Sequence, residues 1–126
     1  MTIEHGDNTI ILKENIIHIT LKGSFNEYGA EEVSQKTSAI IKSLNQSKFL
    51  IFVDLSNLDG ATPDAFNISN KFNEWLNGQN MVAKAIVITS QVIKSIDQQW
   101  VPSKAVQNIE YFDNEDDALV WLNKQI

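Results

Sequence analysis

The opening of the chain has the two-residue period of a β-hairpin. Residues 9–13 and 16–21 are apolar runs separated by two polar residues. In the second run, Ile17 and Ile19 alternate with polar residues, so their side chains fall on one side of an extended chain. The two runs predict a hairpin with one buried face that ends at Gly23-Ser24.

Helix-like and strand-like segments alternate in the rest of the chain. Apolar residues spaced three and four apart predict amphipathic helices, and the unbroken apolar run over residues 48–54 predicts a strand buried on both faces. The helices are predicted over residues 27–45, from Thr62-Pro63 to about Asn77, after Thr89 or Ser90 to before Pro102, and from Asn114 onward. The strands are predicted over residues 48–54, 82–88 and 106–112. Residues 55–61 are predicted to form a loop.

The order β-β-α-β-α-β-α-β-α predicts an α/β fold with a mixed, mainly parallel sheet of four or five strands and about four helices. The pattern leaves open whether the helices cover one face of the sheet or both. Asn26, Thr62 and Asn114 are candidate N-caps because each is a small polar residue just before a helical pattern.

Composition narrows the function classes. The 126 residues suit one domain, expected over residues 1–126, and 43% hydrophobic with 21% charged residues is typical of a globular protein. The net charge is −6 and all ten basic residues are lysines, which argues against nucleic-acid binding. No cysteine is present, so thiol chemistry and disulfides are excluded. Neither a secretory pattern nor an apolar run long enough to span a bilayer is found, so we expect a cytoplasmic location.

Three motifs then carry a family resemblance. Residues 21–25 (LKGSF) lead into a helix, residues 52–56 (FVDLS) end a buried strand, and residues 106–122 form a strand ending in Phe-Asp followed by a helix with Trp-Leu. In this order and spacing they resemble the STAS domain, in particular the SpoIIAA-like branch related to anti-sigma-factor antagonists. The resemblance spans residues 9–124 and implies a non-enzymatic regulatory or protein-binding module with a protein partner. Separately, the apolar surface of the helix after Pro63 is compatible with a homodimer.

One motif departs from the phosphorylated members of that family. The resemblance places a Asp-Ser-Ser-Gly sequence at residues 62–65, but this chain has Thr-Pro-Asp-Ala there, so the serine that a partner kinase would phosphorylate is absent. The polar residues of this segment remain the candidate regulatory or partner-binding loop: Asp54, Ser56, Asp59, Thr62 and Asp64. The alternative is plain helix capping and turn formation.

The helix after Pro63 carries more large apolar side chains than one narrow face requires. Phe66, Phe72 and Trp75, with Trp100 in a predicted loop, are candidates for a patch that binds a partner or a small apolar, lipid-like ligand. The alternative is ordinary core packing. A cavity lined by the first three residues would favour the ligand hypothesis.

Few residues of the sequence are suited to catalysis or metal binding. His18 has no evident orienting partner, His5 lies near the terminus, and Asp54, Asp59 and Asp64 lack the spacing of a calcium loop. We therefore predict no catalytic, cofactor or metal site. An unrecognised enzyme would require at least two of these four residues, His18 and the three aspartates, to converge in one cleft.

Overall fold

In the computed structural model, which describes residues 6–126, five strands form one sheet in the order β1-β2-β3-β4-β5. The strands are β1 (Asp7–Lys13), β2 (Ile16–Phe25), β3 (Phe49–Ala61), β4 (Met81–Val87) and β5 (Ile109–Phe112). β1 pairs antiparallel with β2, and every other pairing is parallel. The α/β class with a mixed, mainly parallel sheet is thereby confirmed.

Four α-helices connect or follow the strands. They are α1 (Glu27–Ser43), α2 (Pro63–Leu76), α3 (Gln91–Trp100) and α4 (Glu115–Asn123), with a short 3-10 helix at Pro102–Val106. The predicted N-caps are confirmed, because the side chains of Asn26, Thr62 and Asn114 each accept a backbone N–H of the first turn. Of the two candidates before α3, Ser90 is the cap.

Both faces of the sheet are covered, which answers the question that the sequence left open. On one face Ile17, Ile19 and Ile51 pack against α1 and α2, while Ile93 of α3 packs further along the same face. On the other face Phe52 belongs to a cluster that includes residues of α4. The alternation of side chains along each strand produces these two layers.

The predicted loop over residues 55–61 is wrong, because β3 continues through it to Ala61. β2 likewise does not end at Gly23-Ser24 but continues to Phe25. Gly23 has a φ of +82°, a conformation that glycine adopts without a steric penalty, and the β2–β3 register shifts on either side of it. The bulge lets both strands extend together beyond the rest of the sheet.

Trp100 was predicted in a loop but is the last residue of α3. The helix continues to this point because its end is fixed by Pro102, two residues later, which disfavours helical backbone at the residue before it. The strand predicted from residue 106 begins only at Ile109, because the 3-10 helix occupies the preceding turn.

Candidate functional site

The end of β3 projects beyond β4. We call residues 55–61 the β3 extension. β3 pairs with β4 only as far as Asp54, opposite Val87, whereas its pairing with β2 continues to Ala61, opposite Phe25. Within residues 6–126, therefore, no strand pairs with the other edge of the β3 extension.

The polar side chains of the β3 extension are partly exposed and partly tied to the backbone. Asn57 and Asp59 are exposed. At the base of the extension, Oδ1 of Asp54 accepts hydrogen bonds from the backbone N–H of Ser56 (3.0 Å) and from its hydroxyl (2.6 Å). Asp54 and Ser56 thus shape the strand, while Asn57 and Asp59 are directed to the surroundings.

Thr62 joins the β3 extension to α2. Its backbone N–H donates to the carbonyl oxygen of Phe25 (2.9 Å), and its hydroxyl oxygen accepts from the N–H of Ala65 (3.2 Å). Asp64 is exposed in the first turn of α2, where a negative charge interacts favourably with the helix dipole. The five predicted regulatory residues therefore lie along one continuous segment, from the end of the shared sheet to the start of α2.

A cavity of about 130 Å³ lies beneath α2, between this helix, α1 and the sheet; we call it the α2 cavity. Its walls are mainly apolar. They include Leu21, Phe25, Val33, Val53, Phe66 and Phe72.

The predicted apolar patch is divided between this cavity and other surfaces. Phe66 and Phe72 line the cavity. Trp75 is not part of the lining: it contacts Phe72 (ring centroids 5.8 Å apart) and lies under Nζ of Lys42. Trp100 contacts Phe66 at 5.9 Å and is 42% exposed. Two of the four residues thus line the cavity directly, and Trp100 packs behind one of them.

Polar side chains that the sequence analysis missed also line the α2 cavity. Lys84 lies in the middle of β4 and is only 4% exposed. Its Nζ donates to Oδ1 of Asn73 (2.8 Å), a buried residue of α2. The same oxygen accepts from Nε2 of Gln107 (3.1 Å). The available signal was the lysine itself, a charged residue within the apolar run predicted as a strand over residues 82–88.

An ion pair lies at the same part of the lining. Nζ of Lys104 is 2.7 Å from a carboxylate oxygen of Asp97, and both side chains are largely buried. Burial lowers the pKa of Lys84 well below its usual 10.5, and the nearby charge of Lys104 lowers that pKa further, while Asp97 opposes the shift. Two lysine amines therefore share the neighbourhood of one carboxylate.

Within residues 6–126, the residues considered for catalysis, His18 with Asp54, Asp59 and Asp64, are not joined to one another by hydrogen bonds as Lys104 and Asp97 are. His18 contacts Phe52 (ring centroids 5.5 Å apart), and burial lowers its pKa from 6.5. In the part of the chain that is described, no hydrogen bond joins it to an aspartate, and no three potential ligands are grouped to hold a metal ion. His5 lies outside the described residues. Between residues 6 and 126, no helix has the length and apolar character to cross a bilayer.

The mainly parallel sheet with its antiparallel first strand, covered by α1–α3 on one face and α4 on the other, defines an α/β domain with the SpoIIAA-like fold. The SpoIIAA-like family matches this chain over residues 16–123, so the chain belongs to that family. No curated protein shows a significant match to it.

Solved structures have the same fold at low sequence identity. An uncharacterized DUF3478-family protein with a SpoIIAA-like fold from Shewanella loihica PV-4 is 15% identical, with a TM-score of 0.68 over 97% of each chain. An anti-sigma factor antagonist from Mycobacterium paratuberculosis is 13% identical, with a TM-score of 0.67 over 94% of this chain and 95% of that one. The anti-sigma factor antagonist SpoIIAA in its unphosphorylated form is 12% identical, with a TM-score of 0.63 over 95% and 100%.

Proposed function

We propose that this protein is a non-enzymatic regulatory module that binds another protein through the β3 extension and the start of α2. The observation that carries this proposal is the strand edge of the β3 extension that has no strand neighbour within residues 6–126. Such an edge presents backbone N–H and C=O groups to which an extended segment of a partner can add as a further strand.

Charge indicates the chemistry of the partner segment. Asp59 on the β3 extension and Asp64 in the first turn of α2 are both exposed on this surface, and the whole chain carries a net charge of −6. A segment containing lysine or arginine would associate faster with this surface and bind it more specifically than an acidic one. Two proteins of the same fold are described as anti-sigma factor antagonists, which supports a protein as the binding partner.

The absence of the Asp-Ser-Ser-Gly sequence gives this module a different form of control. The position of the phosphorylated serine is occupied by Pro63 or Asp64, neither of which has a hydroxyl group for a serine kinase to phosphorylate. We propose that binding at this surface does not depend on phosphorylation at position 63 or 64.

Affinity capture from the source cells tests the proposal with two charge-reversed variants. Asp59→Lys reverses a charge on the β3 extension, and Asp116→Lys reverses an exposed charge on α4 as a matched control. We expect a basic partner protein to be recovered with the control but to fall at least about tenfold with Asp59→Lys. Equal recovery with both variants, or no partner with the wild-type protein, would overturn the proposal.

A second candidate function, carriage or sensing of a small apolar ligand, rests on the α2 cavity. An apolar protein cavity of about 150 Å³ is large enough to bind benzene, and the α2 cavity measures about 130 Å³. Benzene should therefore raise the melting temperature of the wild-type protein. Val33→Phe, which fills the cavity, should abolish that rise, whereas Val120→Phe on the exposed face of α4 should retain it. Equal responses of both variants would remove this candidate.

A further inference from the structure

We call the part of the α2 cavity lined by Asn73, Lys84, Asp97 and Lys104 its polar end. The amine of Lys84 there has N–H donors without an acceptor among residues 6–126. A lysine ammonium has three N–H donors. Among the described residues, Nζ of Lys84 has one acceptor within hydrogen-bond distance, Oδ1 of Asn73, and no carboxylate within salt-bridge distance. The nearby carboxylate of Asp97 is already paired with Lys104 at 2.7 Å. An isolated buried ammonium is costly unless a counter-charge is supplied.

The remaining lining limits what can supply that charge. Beyond Asn73, Lys84, Asp97 and Lys104 the walls are mainly apolar, with Ser34 and Ser69 as the remaining polar side chains, and the volume of about 130 Å³ is close to the space that accommodates a benzene ring. A cationic ligand would be repelled by the ammonium of Lys84, which has no carboxylate of its own among the described residues, whereas the charge of Lys104 is balanced by Asp97. A multiply charged anion would place further charge against apolar walls, and the chain has no arginine to bind it bidentately.

We propose that the α2 cavity binds a small monocarboxylate, with an apolar body about the size of a benzene ring and its carboxylate accepting a hydrogen bond from Nζ of Lys84. This inference rests on the second candidate function, because it names the ligand class of the same cavity. It adds an ion pair between ligand and protein that a purely apolar carrier would not form.

Binding of such a ligand is coupled to a proton. A carboxylate beside Nζ favours the charged form of Lys84 and therefore raises its pKa above that of the ligand-free protein. The groups that face this amine are Asn73 on α2, Asp97 on α3, Lys104 on the 3-10 helix and Gln107 just after it. Only Asp97 is acidic, and its charge is balanced by Lys104. At a pH between the two pKa values of Lys84, the protein takes up a proton as the carboxylate binds.

Titration calorimetry with benzoate, benzyl alcohol and benzylamine tests this inference on the wild-type chain. These probes share one ring and differ in the polar group. We expect benzoate to bind at least about tenfold more tightly than benzyl alcohol, and benzylamine not to bind. The heat of benzoate binding should also depend on the ionisation enthalpy of the buffer, with the sign of proton uptake.

Two lysine variants complete the experiment. Lys84→Met keeps an unbranched side chain without the amine, and Lys71→Met removes an exposed lysine from α2 as the control. Lys84→Met should lose the preference for benzoate over benzyl alcohol, together with the proton uptake, and Lys71→Met should retain both.

The outcomes separate this inference from the candidate function on which it rests. If benzyl alcohol binds the wild-type protein as tightly as benzoate does, the cavity stands as an apolar site but the carboxylate assignment is overturned. If none of the three probes binds, the carrier or sensor function and the carboxylate assignment both fail. A preference for benzoate that persists in Lys84→Met would place the carboxylate elsewhere and also overturn the assignment.

Discussion

Replacement of Lys84 by methionine should change how the stability of the fold depends on pH. The side chain is 4% exposed in the central part of β4. Methionine fills a similar space without charge. The change removes the hydrogen bond from Nζ to Oδ1 of Asn73, but that oxygen still accepts from Gln107 at 3.1 Å. Loss of one such bond costs about 1 kcal/mol when no buried acceptor is left unpaired.

The buried positive charge of Lys84 destabilises the folded protein, so its removal stabilises the variant, whereas loss of the hydrogen bond destabilises it. Because its pKa in the folded protein lies below the usual 10.5, the unfolded chain binds more protons between the two pKa values. Wild-type stability therefore rises with pH across this window, by up to about 1.4 kcal/mol per pH unit for a single proton. Below the pKa of the folded protein the penalty is constant, and above 10.5 it vanishes. The methionine variant lacks this contribution entirely.

Urea unfolding, followed by tryptophan fluorescence from about pH 6 to about pH 10, measures both the cost of the lost hydrogen bond and the pH-dependent cost of the buried charge. Near about pH 10 we expect Lys84→Met to have a lower free energy of unfolding than the wild-type protein. As the pH falls, the wild-type value should decrease relative to that of the variant. Lys71→Met, at an exposed site, should follow the wild-type curve. Parallel curves for Lys84→Met and the wild-type protein would show that Lys84 titrates equally in the folded and unfolded states, and would refute the reasoning.

Three other residues give independent tests. Gly23→Ala should lower the free energy of unfolding by about 1 to 2 kcal/mol in urea, because its φ is +82°, whereas Gly60→Ala, equally open around the added Cβ, should leave it nearly unchanged. Thr62→Ala should cost about 0.5 to 2 kcal/mol through loss of the α2 cap; an equal cost for Thr89→Ala, an exposed position before α3, would contradict this explanation. Spectrophotometric titration should detect a tyrosine ionising near pH 12 that Tyr111→Phe lacks, because burial, together with the smaller effect of the charge of Asp97, raises the pKa of Tyr111 to about 12.

Much of the fold was predictable because its signals are local. Thr62 before Pro63 indicates a helix start within four residues of sequence, and the cap forms as predicted. Strand and helix periods depend on which side chains must leave water, so they determine the element order and the α/β class. The motifs around Asp54 likewise indicated the family to which the chain belongs.

The β3 extension depended on interactions that are distant in sequence. Its residues, from Leu55 to Ala61, include serine, asparagine, aspartate and glycine, and this composition is typical of a loop. They are extended because β2, about 35 residues earlier, continues past Gly23 and supplies hydrogen-bond partners. Strand pairing of this kind has no local signal, so only the tertiary structure revealed the unpaired edge.

The polar end of the α2 cavity likewise depends on residues that are distant in sequence. Lys84, Asn73 and Asp97 lie on β4, α2 and α3; Lys84 is the one polar residue of its strand, whereas Asn73 and Asp97 are each one of several polar residues of a helix. Packing of the two helices on one face of the sheet brings these side chains to one cavity. The sequence by itself determined which segments become helices and strands, because the spacing of apolar residues that predicts them involves only neighbouring residues. The tertiary structure alone decided which buried charges meet, because the pairing of charges depends on distances between elements.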